Sequence, residues 1–327
     1  MLVGGGAAVL TSSATADVTA VSAPESDRTA GRVPVVVQRD LDYGSDSADC
    51  PPAPACLLDL YMKDGGRAGR RPLVVLIHGG GWIRREAEGG TGTKSSRRIV
   101  DPAKDLARNG YVVLAIDYPG ATDDVDGTPE EENAVNTAVD WAITNRNQFR
   151  INPNKVAFIG GSSGGQLSLL AAFNANQATP GKITMAYSLS GPVDLWEPLR
   201  QLQDGEAVPG DPGFEEGIPG FRNIELYLGC DWDAVEGAVR EMCTYGHASV
   251  VSPLYIGDSS CPLVRITRSD TEDMGEAEAL VTRLESRGCG TTAVPRAVAL
   301  PGGPEHGFAQ WPDIRVDVIA DLDTHMK

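Results

Sequence analysis

Residues 155–165 read Lys155-Val156-Ala157-Phe158-Ile159-Gly160-Gly161-Ser162-Ser163-Gly164-Gly165, and they decide the fold. Lys155 to Ile159 is a short, nearly continuous apolar run ending in glycines, the pattern of a strand buried on both faces. Beyond the glycines, Leu167 and Leu170 lead a helix to about Ala175. Ser162 therefore sits on a strand-to-helix turn. A nucleophilic serine needs such a sharp turn to stand exposed, and Gly160 and Gly164 leave room for its strained backbone. With 38 glycines in the chain the bare G-x-S-x-G pattern is weak, and its placement carries the inference.

Outward from this turn the chain alternates between strands and helices. Val35 to Val37, Leu57 to Met62, Leu73 to Ile77, Tyr111 to Ile116, Met185 to Leu189, Leu263 to Thr267 and Val294 to Leu300 read as strands. Thr128 is expected to cap a helix with Pro129 at its first position, and the carboxylates of Glu130, Glu131 and Glu132 suit the dipole of its first turn. The acid run reads as a helix start and nothing more. Val135, Ala138, Val139 and Ile143 form that helix's apolar stripe, which runs to about Gln148. Further helices are expected at about Gly275 to Ser286 and Ile314 to Asp323. This order predicts an α/β domain with a mostly parallel central sheet flanked by helices. Residues 196–249 break the alternation with Pro- and Gly-rich sequence, too long for a connector, and read as a lid-like insert over a binding site. With no repeat and no second core, 32–327 is expected to be one domain.

Three further stretches bear on chemistry. His78-Gly79-Gly80-Gly81-Trp82 follows the Leu73 to Ile77 strand. Acyl transfer builds negative charge on a carbonyl oxygen, and backbone N–H groups aimed at it stabilise it strongly. Gly79 and Gly80, with Ser163 after the nucleophile, are the expected donors. Thr91-Gly92-Thr93-Lys94-Ser95 resembles a phosphate loop only faintly, because Thr93 separates glycine from lysine. The chain has four histidines: His78 lies in the glycine loop, His247 after the insert and His325 at the C-terminal end. His306, on a loop after the last strand, is left as the base for Ser162. A carboxylate must then fix the imidazole. Asp270 lies closest to the end of the Leu263 to Thr267 strand and is the expected partner, with Asp273 as the alternative and Glu272 crowding both. All these groups fall at the C-terminal ends of expected parallel strands, where open α/β sheets place their sites. Such chemistry requires no metal or organic cofactor.

The formal net charge is −17, which disfavours nucleic acid and anionic lipid as partners. No run approaches the roughly 18 apolar residues of a membrane-spanning helix. Residues 1–31 read as a signal peptide or a disordered N-terminal segment: Met1 to Leu10 is apolar and Ala14-Thr15-Ala16 resembles a cleavage site, although the first basic residue is Arg28. Six cysteines without zinc spacing suit disulfides in an oxidising compartment, and residue spacing leaves their pairing open. Export and an extracellular location are the expectation.

His78-Gly79-Gly80-Gly81-Trp82, Ile116-Asp117-Tyr118, Asn152-Pro153-Asn154-Lys155-Val156, the Ser162 turn with Gly165, and His306-Gly307-Phe308 together resemble the esterase branch of the α/β-hydrolases. That branch includes hormone-sensitive-lipase-like carboxylesterases and bacterial feruloyl-esterase-like (BD-FAE) enzymes. The resemblance covers roughly Leu57 to Gly307. It implies the α/β-hydrolase fold, the chain order serine, acid, histidine, and hydrolysis of a small-molecule or carbohydrate-linked ester through an acyl-enzyme. An amide-bond hydrolase or a non-catalytic binding protein on this fold are the alternatives. Ser163 stands where relatives usually have alanine, and Pro119-Gly120 replaces the usual arginine-leucine. Ile266-Thr267 stands where relatives often have His-Gly. The fold also implies that Cys261 pairs with Cys289, leaving Cys230 with Cys243 and Cys50 with Cys56 as local pairs.

Overall fold

The computed structural model describes residues 25–27, 33–44, 47, 50, 56–65, 69–83, 93–122, 127–195, 219–229, 250–256, 261–289, 296–300 and 305–327. Most of the expected leader, most of the insert, His247, Cys230 and Cys243 lie outside them. The described strands are β1 (Glu25–Asp27), β2 (Val35–Asp42), β3 (Leu57–Lys63), β4 (Arg71–Ile77), β5 (Val112–Ile116), β6 (Ile151–Gly161), β7 (Met185–Leu189), β8 (Leu263–Ser269) and β9 (Arg296–Leu300). They form one sheet in the order β1-β2-β3-β5-β4-β6-β7-β8-β9. Pairing is antiparallel from β1 to β5 through β2 and β3, and parallel from β5 through β4 to β9. Glu25–Asp27, inside the segment read as a leader or unstructured, pairs with Val35–Val37.

The described helices are α1 (Arg97–Arg108), α2 (Glu130–Thr144), α3 (Arg146–Phe149), α4 (Ser163–Ala178), α5 (Pro219–Leu228), α6 (Pro253–Ile256), α7 (Gly275–Ser286) and α8 (Trp311–Met326), the last preceded by a 3₁₀ turn at Gly307–Gln310. Alternation along β4 explains why both faces of the sheet are covered. Leu73, Val75 and Ile77 belong to the buried cluster that also holds residues of α2, α4 and α7, whereas Val74 and Leu76 belong to the one that holds residues of α1 and α8. A fully parallel centre buried on both faces accounts for the nearly unbroken apolar runs of β4 to β7.

Two sequence expectations need correction. α1 has no counterpart among the expected helices. Ser96 starts it by accepting a hydrogen bond from Arg98 N, and Ile99, Ala103, Leu106 and Ala107 form its buried stripe, but Pro102 lies inside it. Pro129 rather than Thr128 is the N-cap of α2, and Thr128 Oγ1 instead donates to the Glu132 carboxylate at 3.2 Å. Disulfides join Cys50 to Cys56 and Cys261 to Cys289, as the resemblance implied. The second ties the chain just before β8 to the chain just after α7.

Candidate active site

Ser162 lies between β6 and α4 with φ 56° and ψ −128°, a conformation that costs an L-residue free energy and persists only where its surroundings enforce it. The enforcement is visible. Ser162 N donates to Leu189 O at 2.8 Å, and Ser162 O accepts from Gly165 N at 2.7 Å. A side chain at Gly160 would collide with the Gly164 carbonyl, so the turn closes only with glycine there. The result presents a partly exposed Ser162 at the C-terminal edge of the sheet.

The glycine loop after β4 lies directly against it. A β-carbon on Gly79 would stand 2.9 Å from Ser162 Cβ and 2.7 Å from Gly161 O, so the loop approaches the serine closely only because position 79 has none. Gly81 N donates to Ser163 Oγ at 3.0 Å. The Ser163 hydroxyl thus ties the loop to the first residue of α4. Among the described residues the N–H groups of Gly79, Gly80 and Ser163 have no acceptor.

Behind this loop is a buried polar support that the sequence did not announce. His78 stacks on Tyr118 with ring centroids 4.4 Å apart, its Nδ1 donates to Gly79 O at 2.7 Å, and Tyr118 donates its hydroxyl proton to His78 O at 2.9 Å. Burial lowers the pKa of His78 against the opposing charge of Asp117, which favours a neutral ring. Asp117 accepts from Lys94 N at 2.7 Å. The Lys94 ammonium meets Asp40 at 2.6 Å and Asp59 at 3.1 Å. Burial pulls that ammonium down, but the carboxylates outweigh it and hold its pKa above the ordinary value. Lys94, from the stretch that resembles a phosphate loop, therefore ties β2 and β3 to Asp117.

His306 precedes the 3₁₀ turn, and a side-chain carbon on Gly307 would lie 3.4 Å from Ser162 N, which places the histidine's backbone beside the serine. The carboxylate on His306 is Glu272, not Asp270: Nδ1 and Glu272 Oε1 are 2.6 Å apart. Asp270 is exposed beyond the strand end, and Asp273 Oδ1 accepts from Gly275 N at the start of α7. The reason is the length of β8, which continues to Ser269, past the expected end at Thr267. The chain then turns through a Glu272 N to Ser269 O hydrogen bond of 3.1 Å, folding residue 272 back toward His306. Burial raises the Glu272 pKa, but hydrogen bonds from His306, Ser190 and the Ser269 amide outweigh it and hold the carboxyl below its ordinary value. His325, by contrast, lies 3.4 Å from Asp321 on α8.

The described part of the insert rests on the same loop. Trp82 stacks on Tyr227 of α5 with centroids 5.3 Å apart. Gln166, wholly buried one turn into α4, accepts from Trp82 Nε1 at 3.0 Å and donates to Val251 O at 2.7 Å. Under this cluster the acid run has a second character: Glu131 and Glu132 are buried, which corrects their reading as a helix start and nothing more. Burial pushes the Glu132 carboxyl up to about 7 against hydrogen bonds from Thr128 and Tyr227 that pull it down. Burial, then the charge of Glu132, raises Glu131 well above its ordinary value. A carboxyl raised in the folded state binds more protons folded than unfolded. Its contribution is fully present below the unfolded value and is lost as pH rises through about 7. For Glu132 the loss amounts to about 3 kcal/mol between about pH 4.5 and about 8. Urea melts at both pH values should show wild type losing more stability than Glu132→Gln; equal losses would refute the assignment.

Comparison with known proteins agrees with this architecture. The BD-FAE family model matches residues 58–206. Esterase LipC of Mycobacterium tuberculosis is 33% identical over 143 residues, which are 43% of this chain and 31% of that protein. The chain thus spans about a third of that relative's length. Among solved structures, a truncated carbohydrate esterase from gut microbiota superposes with a TM-score of 0.60 at 18% identity, covering 88% of this chain and 96% of its own. A bacterial hormone-sensitive-lipase-family esterase gives 0.61 at 18%, covering 90% and 85%. The fold is that of the α/β-hydrolases. Within it, the BD-FAE match and the similarity to LipC both point to the esterase branch.

Proposed function

We propose that the protein is a serine carboxylester hydrolase acting through an acyl-enzyme, with Ser162 as nucleophile, His306 as base and Glu272 as the acid. The observation that carries this reading is the His306–Glu272 hydrogen bond, made beside the backbone of a serine held at positive φ. His306 Nε2 takes the Ser162 proton as Oγ bonds to the ester carbonyl carbon. The N–H groups of Gly79, Gly80 and Ser163 receive the oxyanion, and collapse expels the alcohol with the proton from His306. Water, deprotonated by His306, then attacks the acyl carbon; collapse releases the acid and returns the proton to Ser162 Oγ. Glu272 stabilises the imidazolium throughout without taking its proton. The substrates are short-chain, aryl or carbohydrate-linked esters, in line with the carbohydrate esterase among the structural neighbours. Two disulfides among the described residues support export to an oxidising compartment.

The test is a series of p-nitrophenyl esters, acetate through long acyl chains, beside the matching p-nitroanilide, with phosphonate labelling read by peptide mass. Turnover of the short esters and one label on Ser162 are expected. Anilide cleavage without ester cleavage would replace the reading by an amidase, and absence of both activities and of the label by a binding protein.

A further inference from the structure

The carboxylate that holds His306 is itself held from behind, and the role of that backing rests on the reading of Glu272 and His306 as catalytic partners. Glu272 Oε2 accepts two hydrogen bonds, from Ser190 Oγ at 2.7 Å and from Ser269 N at 2.8 Å. Ser190, just past β7, lies in the left-handed region at φ 55° and is 3% exposed. Its own N donates to Thr267 O at 2.8 Å, so β8 fixes the backbone that aims its hydroxyl. Gln310, 1% exposed and in the 3₁₀ turn that begins beside His306, donates Nε2 to Ser190 Oγ.

Proton counting gives this chain a direction. A hydroxyl has one proton, an ionised carboxylate has none and an amide nitrogen only donates. Gln310 therefore gives to Ser190, and Ser190 must give its one proton to Glu272. The reversed amide would set a carbonyl oxygen and a carboxylate oxygen against a hydroxyl able to satisfy one of them. Among the described residues Gln310 Oε1 has no partner, so the side chain's polar contact is spent on Ser190. The route is closed sterically as well: Phe308 and Gly307 pack on Gly161, locking the 3₁₀ turn that carries Gln310 to the nucleophile's own strand.

We propose that Ser190 and Gln310 are positioning residues, a one-way hydrogen-bonded chain that fixes the Glu272 carboxylate so that Oε1 stays on His306 Nδ1. They touch no substrate and act through Glu272. The chain also explains how glutamate, with one more rotatable bond than aspartate, can serve: both of its oxygens are held.

The test uses Ser190→Ala, Gln310→Met and Gln310→Glu, each read in two ways. Hydrogen bonds to a charged group carry enough free energy for Ser190→Ala to lower kcat about 10- to 100-fold, with KM for p-nitrophenyl acetate unchanged. Gln310→Glu, the closer match in shape, should lose more than Gln310→Met, because a carboxylate takes the Ser190 proton away from Glu272. The second readout needs no substrate: the downfield His306 Nδ1 proton resonance, assigned by its absence in His306→Asn, should broaden or vanish in Ser190→Ala. An unchanged resonance with unchanged kcat, or Gln310→Met as damaging as Gln310→Glu, overturns the proposal. Should the wild type cleave no ester, the function reading fails, while the resonance still decides the chain. Ser190→Gly, which suits φ 55°, keeps the test standing if alanine destabilises the fold.

Discussion

Ser162→Ala should lower kcat toward p-nitrophenyl acetate by about six orders of magnitude, the scale of losing a nucleophile that works as a unit with its base. The size follows from what is removed. The positive φ of residue 162, the hydrogen bond from its N to Leu189 O and the close approach of the Gly79 backbone, which leaves no room for a side chain there, do not involve Oγ. Alanine therefore keeps the turn, and the variant should fold with the melting profile of the wild type. The expected residual rate comes from the Gly79, Gly80 and Ser163 amides and from binding, which need no nucleophile on the enzyme. Activity within about tenfold of wild type would mean that another group attacks the ester. A variant that is inactive and also unfolded leaves the phosphonate label on wild-type Ser162 as the deciding observation.

What the sequence disclosed and what it hid differ in physical kind. The buried parallel strands were legible because both faces of the sheet are covered, and the apolar runs of β4 and β6 end in glycines. The proposed roles of Ser162 and His306 were reached from position: one on a turn, the other left by elimination among four histidines. α1 was hidden by Pro102, which removes a helical donor and usually ends a helix; the Ser96 cap and the spacing of Ile99, Ala103 and Leu106 were the signals that could have found it. The support behind the glycine loop was invisible because Lys94, Asp117, Asp40 and Asp59 come from four separate segments. Glu131 and Glu132 satisfied a local rule for helix starts, and that local rule cannot report what α5 later places over them. Ser190 and Gln310 carry no motif. The place of Ser190 arises from the register of β7 against β8, and that of Gln310 from the 3₁₀ turn packed against Gly161, both long-range properties.

The proposed acid shows the same limit at a scale of two residues, and it yields the sharpest substitution pair. Glu272→Gln should reduce kcat by about 10⁴, the scale seen when the residue orienting a catalytic imidazole is neutralised, while Asp270→Asn should stay near wild type. Apolar patterning ends a strand at Thr267, whereas the backbone pairs on to Ser269, opposite Leu300 of β9. That difference moves the first carboxylate able to turn back from 270 to 272. Glutamine at position 272 would keep the shape but present an amide; its carbonyl oxygen can still face Nδ1, yet it offers no charge to the imidazolium that forms in each transfer. Glu272→Asp should recover only part of the loss, because the shorter side chain cannot hold Ser190, Ser269 N and His306 together. Measuring kcat and KM for the three variants separates the outcomes. Loss in kcat confined to position 272 assigns the acid there, and loss at 270 with position 272 silent would return it to the aspartate nearest the strand end expected from the sequence.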